Sequence, residues 1–423
     1  MSFASELKAN DKKGLLQSDD TFVTYPTGIL PLDYANGFWM TTQDEAGNII
    51  YEPVIGIMGG TFITIIGATG TGKTTLADQI AYAIINPFED GIMYHEDCEQ
   101  TALKPRIIRI TGADPDDERV NLKKKDIYIE DVLEMMDTIC AAKEAGGDRF
   151  KYTVENRTYN RKSFKVYIPT VFIIDSLPAF NSKAFNTADL GTNMDGARGA
   201  RDVSRFYENS LGKMQKYNIT VIVVNHIRVK VEANPYAAAP PGLMMLKPSE
   251  NLVRGYVSQY LAQNVFRCNM VKSGMYTLDD VGFEGFKASI QIAKTKTAFV
   301  GASVDVAFNK DLGYDPVFSL FEFANSIKFI EGKNPYLHFV TLESMKFSRK
   351  DFRRKFLDEK PFRDAVLGLL KPHLEQLLGT KEITTNDQVR YGDLMRRNEM
   401  DTKRSDELAE AELIRESKTK KKK

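Results

Sequence analysis

The 423-residue sequence has few of the residues on which disulfide-rich and zinc-stabilised proteins depend. It contains three cysteines and four histidines, and Cys98, Cys140 and Cys268 lie too far apart for a disulfide framework or a zinc motif. The sequence also has no apolar run approaching about 18 residues, and its first residues lack the apolar segment of a signal peptide. We therefore expect a soluble protein of the reducing cytoplasm that does not interact with membranes.

The sequence also has no net charge that could attract a polyanion. Its 57 Lys and Arg residues balance 57 Asp and Glu residues, and its hydrophobic content of 43% is ordinary for a globular protein. This balance disfavours proteins that coat nucleic acid through bulk charge alone. Any contact with nucleic acid must come from local basic patches.

Strands and helices alternate along the first three quarters of the chain. The segments 62–67, 170–175 and 219–225 are continuous apolar runs, typical of strands that are buried on both faces of a parallel sheet. Apolar residues recur at helical spacing over 74–85 and 129–147. The pattern predicts an α/β core with a mainly parallel central sheet. Further predictions are a hairpin at 41–53, a strand at 91–99, helices at 100–111 and 200–217, an inserted hairpin at 150–168 and two strands within 290–308.

Changes in composition divide the chain into three parts. Residues 1–55 form a polar amino-terminal segment that we expect to contact the main body or a neighbouring subunit. Residues 56–318 form the α/β core. Short helical patterns dominate 319–423, which predicts a small, mostly helical carboxy-terminal domain with a charged tail ending in KTKKKK.

The strongest motif is GATGTGKT, which runs from Gly67 to Thr74 between a predicted strand and a predicted helix. It matches the G-x-x-x-x-G-K-[ST] phosphate loop, whose backbone N–H groups and helix amino terminus bind the phosphates of ATP. We expect Lys73 to contact the β- and γ-phosphates and Thr74 to coordinate Mg²⁺. The predicted nucleotide-binding residues are Gly67, Ala68, Thr69, Gly70, Thr71, Gly72, Lys73, Thr74 and Thr75.

Two predicted strands end in acidic residues that suit nucleotide hydrolysis. Asp175 ends the strand TVFIID and is the candidate for holding Mg²⁺ through water. The strand IMYHEDCE ends in three acids, of which one can polarise the attacking water. Glu99 is the first choice for this base and Glu96 is the alternative.

Two segments between the later elements are rich in loop-forming and basic residues. The segments 182–201 and 228–255 are predicted to be loops on one face of the sheet, which suits binding of a polymer. Asn225 and His226 precede the second loop and can sense the γ-phosphate. Lys294 and Lys296 lie at strand spacing two, which fits an exposed edge ladder as well as a catalytic role. The basic residues in these segments that could contact such a polymer are Arg198, Arg201, Arg228, Lys230 and Arg254.

In this order, the motifs resemble the RecA family of strand-exchange ATPases, and most closely its UvsX-type phage members. The resemblance covers about residues 20–378 and includes IIDSL, VNHIRVK, AKTKTA and NKDLGYDPVFSLFEFANSIKFI. It implies that Asn225 and His226 sense the γ-phosphate and that Lys294 and Lys296 reach the ATP of a neighbouring subunit. Arg201, Arg228 and Lys230 would contact DNA, and Arg198 and Arg254 are further predicted DNA-binding residues. The sequence departs from the family in its extra acids near Glu99, its 150–168 insertion and its lysine-rich tail.

The resemblance implies an ATP-dependent DNA recombinase that uses ATP and Mg²⁺. Such a protein forms helical filaments of its own copies on single-stranded DNA, pairs them with homologous duplex DNA and hydrolyses ATP to ADP and phosphate. A loader protein and a single-strand-binding protein are further candidate partners, and a phage origin would place it in the host cytoplasm. The alternatives are a ring-forming DNA helicase with the same core and a non-catalytic scaffold that assembles with ATP.

Overall fold

The computed structural model describes residues 21–44, 46–125, 127–155, 163–186, 195–229, 246 and 250–381. The described residues as far as Gly379 belong to one compact unit, and the described residues 380 and 381 belong to a second. Lys230, the charged tail, most of the predicted loop 228–255 and the middle of the predicted loop 182–201 lie outside the described residues. No described helix is long and apolar enough to cross a membrane.

Strands and helices alternate as predicted. The described strands are β1 Thr24–Tyr25, β2 Phe38–Gln43, β3 Ile49–Val54, β4 Ile57–Met58, β5 Phe62–Gly67, β6 Ile92–Asp97, β7 Val120–Lys123, β8 Lys151–Val154, β9 Phe164–Tyr167, β10 Thr170–Asp175, β11 Ile219–Val229, β12 Glu250–Leu252, β13 Asn264–Tyr276, β14 Gly285–Thr295, β15 Ser303–Asn309, β16 Gly313–Asp315, β17 Ile330–Glu331, β18 Leu337–Phe339 and β19 Leu342–Phe347. The described α-helices are α1 Leu30–Ala35, α2 Lys73–Ile85, α3 Lys104–Thr111, α4 Ile129–Gly146, α5 Lys183–Asn186, α6 Asp195–Tyr217, α7 Gly255–Leu261, α8 Leu278–Val281, α9 Pro316–Ser326, α10 Arg349–Asp358 and α11 Lys360–Gln376.

The largest sheet has the strand order β7-β6-β10-β11-β5-β13-β14-β15-β16. All neighbours from β7 to β13 pair in parallel, whereas β13 to β16 pair antiparallel. The α/β core with a mainly parallel sheet is therefore confirmed. Because the parallel strands point the same way, the carboxyl ends of β5, β6, β10 and β11 meet at one edge of the sheet, where ligands of such sheets bind.

The central strands bury side chains on both faces of this sheet. In β5, Ile63 and Ile65 belong to the apolar core beneath α2, whereas Phe62 and Ile66 belong to the core on the opposite face. All four are fully buried. This two-sided burial explains why β5 has a continuous apolar sequence rather than an alternating one.

The region after β16 contains the predicted helices and a small sheet that the sequence analysis missed. Helices α9, α10 and α11 occupy the predicted helical segments, and β17, β18 and β19 form a three-stranded antiparallel sheet between α9 and α10. Buried phenylalanines from both kinds of element form one core. These phenylalanines include Phe318, Phe321, Phe339, Phe347, Phe352 and Phe362.

The insertion at 150–168 contains the predicted hairpin, formed by β8 and β9. The hydroxyl of Tyr152 lies 2.8 Å from that of Tyr25 in β1. Asn218, at the turn between α6 and β11, donates to the carbonyl oxygen of Tyr167 at 2.7 Å. These bonds fix the base of the hairpin to the core.

Two predicted loops are partly regular. Helix α6 begins at Asp195 rather than near residue 200, so Arg198 and Arg201 lie in a helix and not in a loop. Arg228 lies in β11, which pairs with β12 near the end of the predicted loop 228–255. The sequence analysis missed the earlier start of α6 and the pairing of β11 with β12 because both segments are polar, and a polar segment shows no apolar periodicity.

Candidate nucleotide-binding site

The phosphate-loop motif connects the end of β5 to the start of α2. Gly70 and Gly72 have φ angles of +79° and +82°, in the left-handed region that favours glycine. A Cβ atom on Gly72 would also lie 2.9 Å from the Phe308 ring and from Oη of Tyr314. The loop therefore needs glycine at this position for both conformation and space.

Side chains of the motif hold the loop closed around its exposed tip. Lys73 donates from Nζ to the carbonyl oxygen of Ala68 at 2.8 Å, and Thr71 donates to the same oxygen at 2.8 Å. Residues 68–70 are exposed, whereas Lys73 is only 6% exposed. Burial lowers the pKa of Lys73, and the negative charges of Asp175 and Glu99 oppose that shift. The ammonium group lies beneath an accessible loop, where a phosphate can replace the carbonyl oxygen as its acceptor.

Thr74 and Asp175 are directly paired at the same edge. Oγ1 of Thr74 donates to Oδ2 of Asp175 at 2.5 Å. Burial raises the pKa of Asp175, and the hydrogen bond from Thr74 lowers it. The described residues contain no cluster of three or more His, Cys, Asp or Glu side chains that could hold a metal. The oxygen donors of Thr74 and Asp175 nevertheless fit Mg²⁺, which takes few protein ligands and completes its shell with water and phosphate oxygens.

Glu99 follows the end of β6 and faces this pair. Its Oε1 accepts hydrogen bonds from Oγ of Ser176 and, at 3.0 Å, from Nε2 of His226. Burial by itself would raise the pKa of Glu99, but these hydrogen bonds and the charge of Lys73 bring the pKa below its ordinary value. The side chain remains 37% exposed, so the carboxylate is both ionised and accessible to water. This environment suits a base that accepts a proton from water.

Glu96 lies on the other face of the sheet. It is aligned with Ile174 in β10, whose side chain belongs to the core opposite α2. Asp97, aligned with Asp175, shares the face of the phosphate-loop helix instead. Glu96 is 3% exposed, and burial raises its pKa. The structure thus brings Glu99, and not Glu96, to the Thr74–Asp175 pair.

Asn225 and His226 connect the site to the segment that follows β11. Nδ2 of Asn225 donates to the carbonyl oxygen of Val253 at 2.9 Å, and its Oδ1 accepts from the backbone N–H of His226 at 2.8 Å. His226 in turn contacts Glu99. A change in the position of Asn225 or His226 can therefore affect both Glu99 and the end of the predicted loop 228–255.

Lys294 lies near the end of β14, and Lys296 directly follows the strand. Nζ of Lys294 donates to the carbonyl oxygens of Gln259 and Tyr260 at the end of α7. Burial and the charge of Lys296 lower the pKa of Lys294 to about 8. The two lysines are neighbours, but Lys294 is half-buried whereas Lys296 is exposed.

The predicted DNA-binding arginines have different surroundings. Arg201 and Arg228 are exposed. Arg254 is half-buried, donates from Nη1 to the carbonyl oxygen of Phe180 at 2.9 Å and lies 5.3 Å from the ring centre of Phe185. Arg254 therefore ties the end of the loop 228–255 to the start of the loop 182–201. The backbone of Arg198 lies in α6.

The sequence analysis missed three side chains of the site. Ser176 directly follows Asp175, which is the only sequence signal for its role. His95, in β6, lies 2.7 Å through Nδ1 from Oδ1 of Asp78, in α2. Burial alone would lower the pKa of His95, but Asp78, Asp175 and Asp97 raise it to about 9. No sequence pattern identifies the Asp78–His95 pair, because its members come from different elements.

The fold and the site define the class of protein: an α/β protein with a candidate phosphate-binding loop, a paired threonine and aspartate and an activated carboxylate at one sheet edge. No protein-family model matches the chain. The chain is 26% identical over 271 residues to the protein RecA of Campylobacter jejuni subsp. doylei. The matched residues are 63% of this chain and 66% of that protein, slightly less than two thirds of its length. This match supports a relationship to the RecA family.

Proposed function

We propose that this protein is an ATP-dependent DNA recombinase, closest to the UvsX-type members of the RecA family. It forms helical filaments on single-stranded DNA and catalyses homologous pairing and strand exchange. The observation that carries this proposal is the position of Glu99. Its carboxylate is held by Ser176 and His226 next to the Thr74–Asp175 pair, at the edge where β5, β6, β10 and β11 end.

The residues of the site have separate roles in ATP hydrolysis. The backbone of the loop and Lys73 bind the phosphates, and Thr74 and Asp175 would hold Mg²⁺. When bound, Mg²⁺ would neutralise charge on the phosphate oxygens. Glu99 accepts a proton from the attacking water while Ser176 and His226 hold its carboxylate in place. ATP binding favours the filament, and hydrolysis releases it.

The remaining predictions belong to the assembled filament. Residues 1–55 contact a neighbouring subunit, 56–318 form the ATPase core and 319–423 form the carboxy-terminal domain. Lys294 and Lys296 act on the ATP of the neighbour, and His226 with Asn225 responds to its γ-phosphate. Arg198, Arg201, Arg228 and Lys230 contact single-stranded DNA, and Arg254 fixes the ends of the segments 182–201 and 228–255, which contain them. A loader and a single-strand-binding protein act with the filament in the cytoplasm, which for a phage protein is that of the host.

Negative-stain electron microscopy of the full chain tests this function. With circular single-stranded DNA and a non-hydrolysable ATP analogue, we expect helical filaments that coat the DNA. Lys73→Ala is the control, and we expect it to abolish ATP-dependent assembly because the triphosphate loses its main cation. Closed hexamers would favour the helicase. Filaments without DNA-stimulated ATP hydrolysis would favour the scaffold.

A further inference from the structure

A buried histidine connects the phosphate-loop helix to the strand beside Asp175. His95 is fully buried in β6, and its Nδ1 lies 2.7 Å from Oδ1 of Asp78. A carboxylate only accepts hydrogen bonds, so Nδ1 is the donor and its proton is fixed there. Asp78 is 1% exposed and follows Lys73 and Thr74 in α2. The bond therefore sets the ring orientation of His95 relative to the helix that begins the site.

The other ring nitrogen of His95 faces Asp175. Among the described residues, Nε2 has no hydrogen-bond partner, and it lies 3.9 Å from Oδ2 of Asp175. The same oxygen accepts the hydrogen bond from Thr74. His95 is aligned with Ile173 in β10, two residues before Asp175, so both polar side chains lie on the α2 face of the sheet. A buried nitrogen without a partner thus points to the acid that is proposed to hold Mg²⁺.

We propose that Asp78 and His95 form a positioning pair, which holds the Asp175 carboxylate toward Thr74 and the Mg²⁺ of bound ATP. The inference rests on the proposed nucleotide-binding function. The ring of His95, which its hydrogen bond with Asp78 holds in place, forms one side of the buried space that the Asp175 carboxylate occupies. Groups that orient a metal-binding carboxylate in this way contribute substantially to metal affinity. Asp78 and His95 are positioning residues that do not touch the nucleotide.

The test measures Mg²⁺ binding without turnover. The double variant Asp78→Ala/His95→Phe removes both polar groups together, which avoids leaving one of them buried and unpaired, and the smaller alanine offsets the larger ring. Binding of a fluorescent non-hydrolysable ATP analogue is titrated with Mg²⁺ in the full chain, and repeated in EDTA. We expect the Mg²⁺ concentration for half-maximal binding to rise by about 10- to 100-fold. Binding in EDTA should stay unchanged.

Two further variants separate positioning from folding. His373→Phe makes the same substitution in α11, where the histidine contacts the Phe329 ring, and it should keep the Mg²⁺ dependence of the wild type. Asp78→Asn retains size and should weaken Mg²⁺ binding in the same direction, with the thermal midpoint of each variant recorded. Either of two results overturns the positioning role: the double variant keeps the Mg²⁺ dependence of the wild type, or its nucleotide binding weakens equally with Mg²⁺ and in EDTA. A wild-type chain that binds no nucleotide overturns the proposed function together with it.

Discussion

At the scale of single residues, the two candidate acids near the end of β6 have opposite environments. Glu99 is partly exposed, accepts two hydrogen bonds and has a lowered pKa. Glu96 is buried on the other face of the sheet and has a raised pKa. A general base for water must be ionised and must reach the water molecule. Only Glu99 satisfies both conditions among these two residues.

This difference predicts the kinetics of two conservative variants. Glu99→Gln keeps the shape and the hydrogen-bonding capacity of the side chain but cannot accept the proton, so kcat for ATP hydrolysis should fall by about 10²- to 10⁴-fold. Nucleotide affinity should be retained. Glu96→Gln is the matched control, and its kcat should remain close to that of the wild type. Loss of turnover in Glu96→Gln alone would show that the base has been assigned to the wrong acid.

At the scale of the elements, one lysine connects three chain segments behind the site. Lys143, near the end of α4, is 7% exposed. Its Nζ donates to the carbonyl oxygen of Ile168 at 2.7 Å, between β9 and β10, and to that of Tyr217 at 2.8 Å, at the end of α6. Burial lowers the pKa of Lys143 to about 7. The amine thus ties the inserted hairpin and α6 to α4.

The lowered pKa predicts a pH-dependent stability. In the unfolded chain Lys143 keeps its proton up to its ordinary pKa of 10.5, whereas in the folded chain it loses the proton near 7. Unfolding between these values takes up a proton, so the contribution of Lys143 to the free energy of unfolding rises with pH, by at most about 1.4 kcal/mol per pH unit. Lys143→Met cannot titrate and lacks this rise. Urea unfolding of both proteins at pH 7, 8 and 9 should show a widening difference in favour of the wild type; parallel curves would contradict the lowered pKa.

The elements also show what the sequence could and could not predict. The runs at 62–67 and 170–175 were located to the residue because strands buried on both faces are apolar throughout. Strand β13 was missed because polar residues and a bulge interrupt its pattern, although it lies beside β5. The position of the GATGTGKT motif at the end of β5 and of Asp175 at the end of β10 followed from the motif and the apolar runs. The Asp78–His95 pair could not, since contacts between different elements leave no local pattern.

At the scale of the whole molecule, the absence of net charge makes the placement of basic residues decisive. With 57 basic and 57 acidic residues, the chain as a whole does not attract DNA. Arg201 and Arg228 are exposed, whereas Arg254 bonds within the protein. The exposed arginines are therefore suited to phosphate contacts, and Arg254 is suited to holding the backbone that presents them.

This difference predicts how salt affects binding of single-stranded DNA. In a plot of the logarithm of the affinity against the logarithm of the salt concentration, each phosphate contact contributes about −0.7 to the slope. Arg201→Ala and Arg228→Ala should each make the slope shallower by about that amount, with little dependence on base sequence. Arg254→Ala is the matched control: it should weaken binding through loop geometry and leave the slope unchanged. Fluorescence anisotropy between low and moderate salt measures all four proteins.

The lysine-rich tail is the competing source of the same electrostatic effect, because KTKKKK can bind any polyanion. A chain that ends at Ser417 lacks this cluster but keeps the arginines. If the arginines contact the DNA, the shortened chain retains salt-sensitive binding and still responds to Arg201→Ala and Arg228→Ala. Loss of all binding on shortening, with no effect of the arginine variants in the full chain, would contradict the assigned DNA surface. A scaffold tethered to nucleic acid by its tail would then explain the protein better than a recombinase filament.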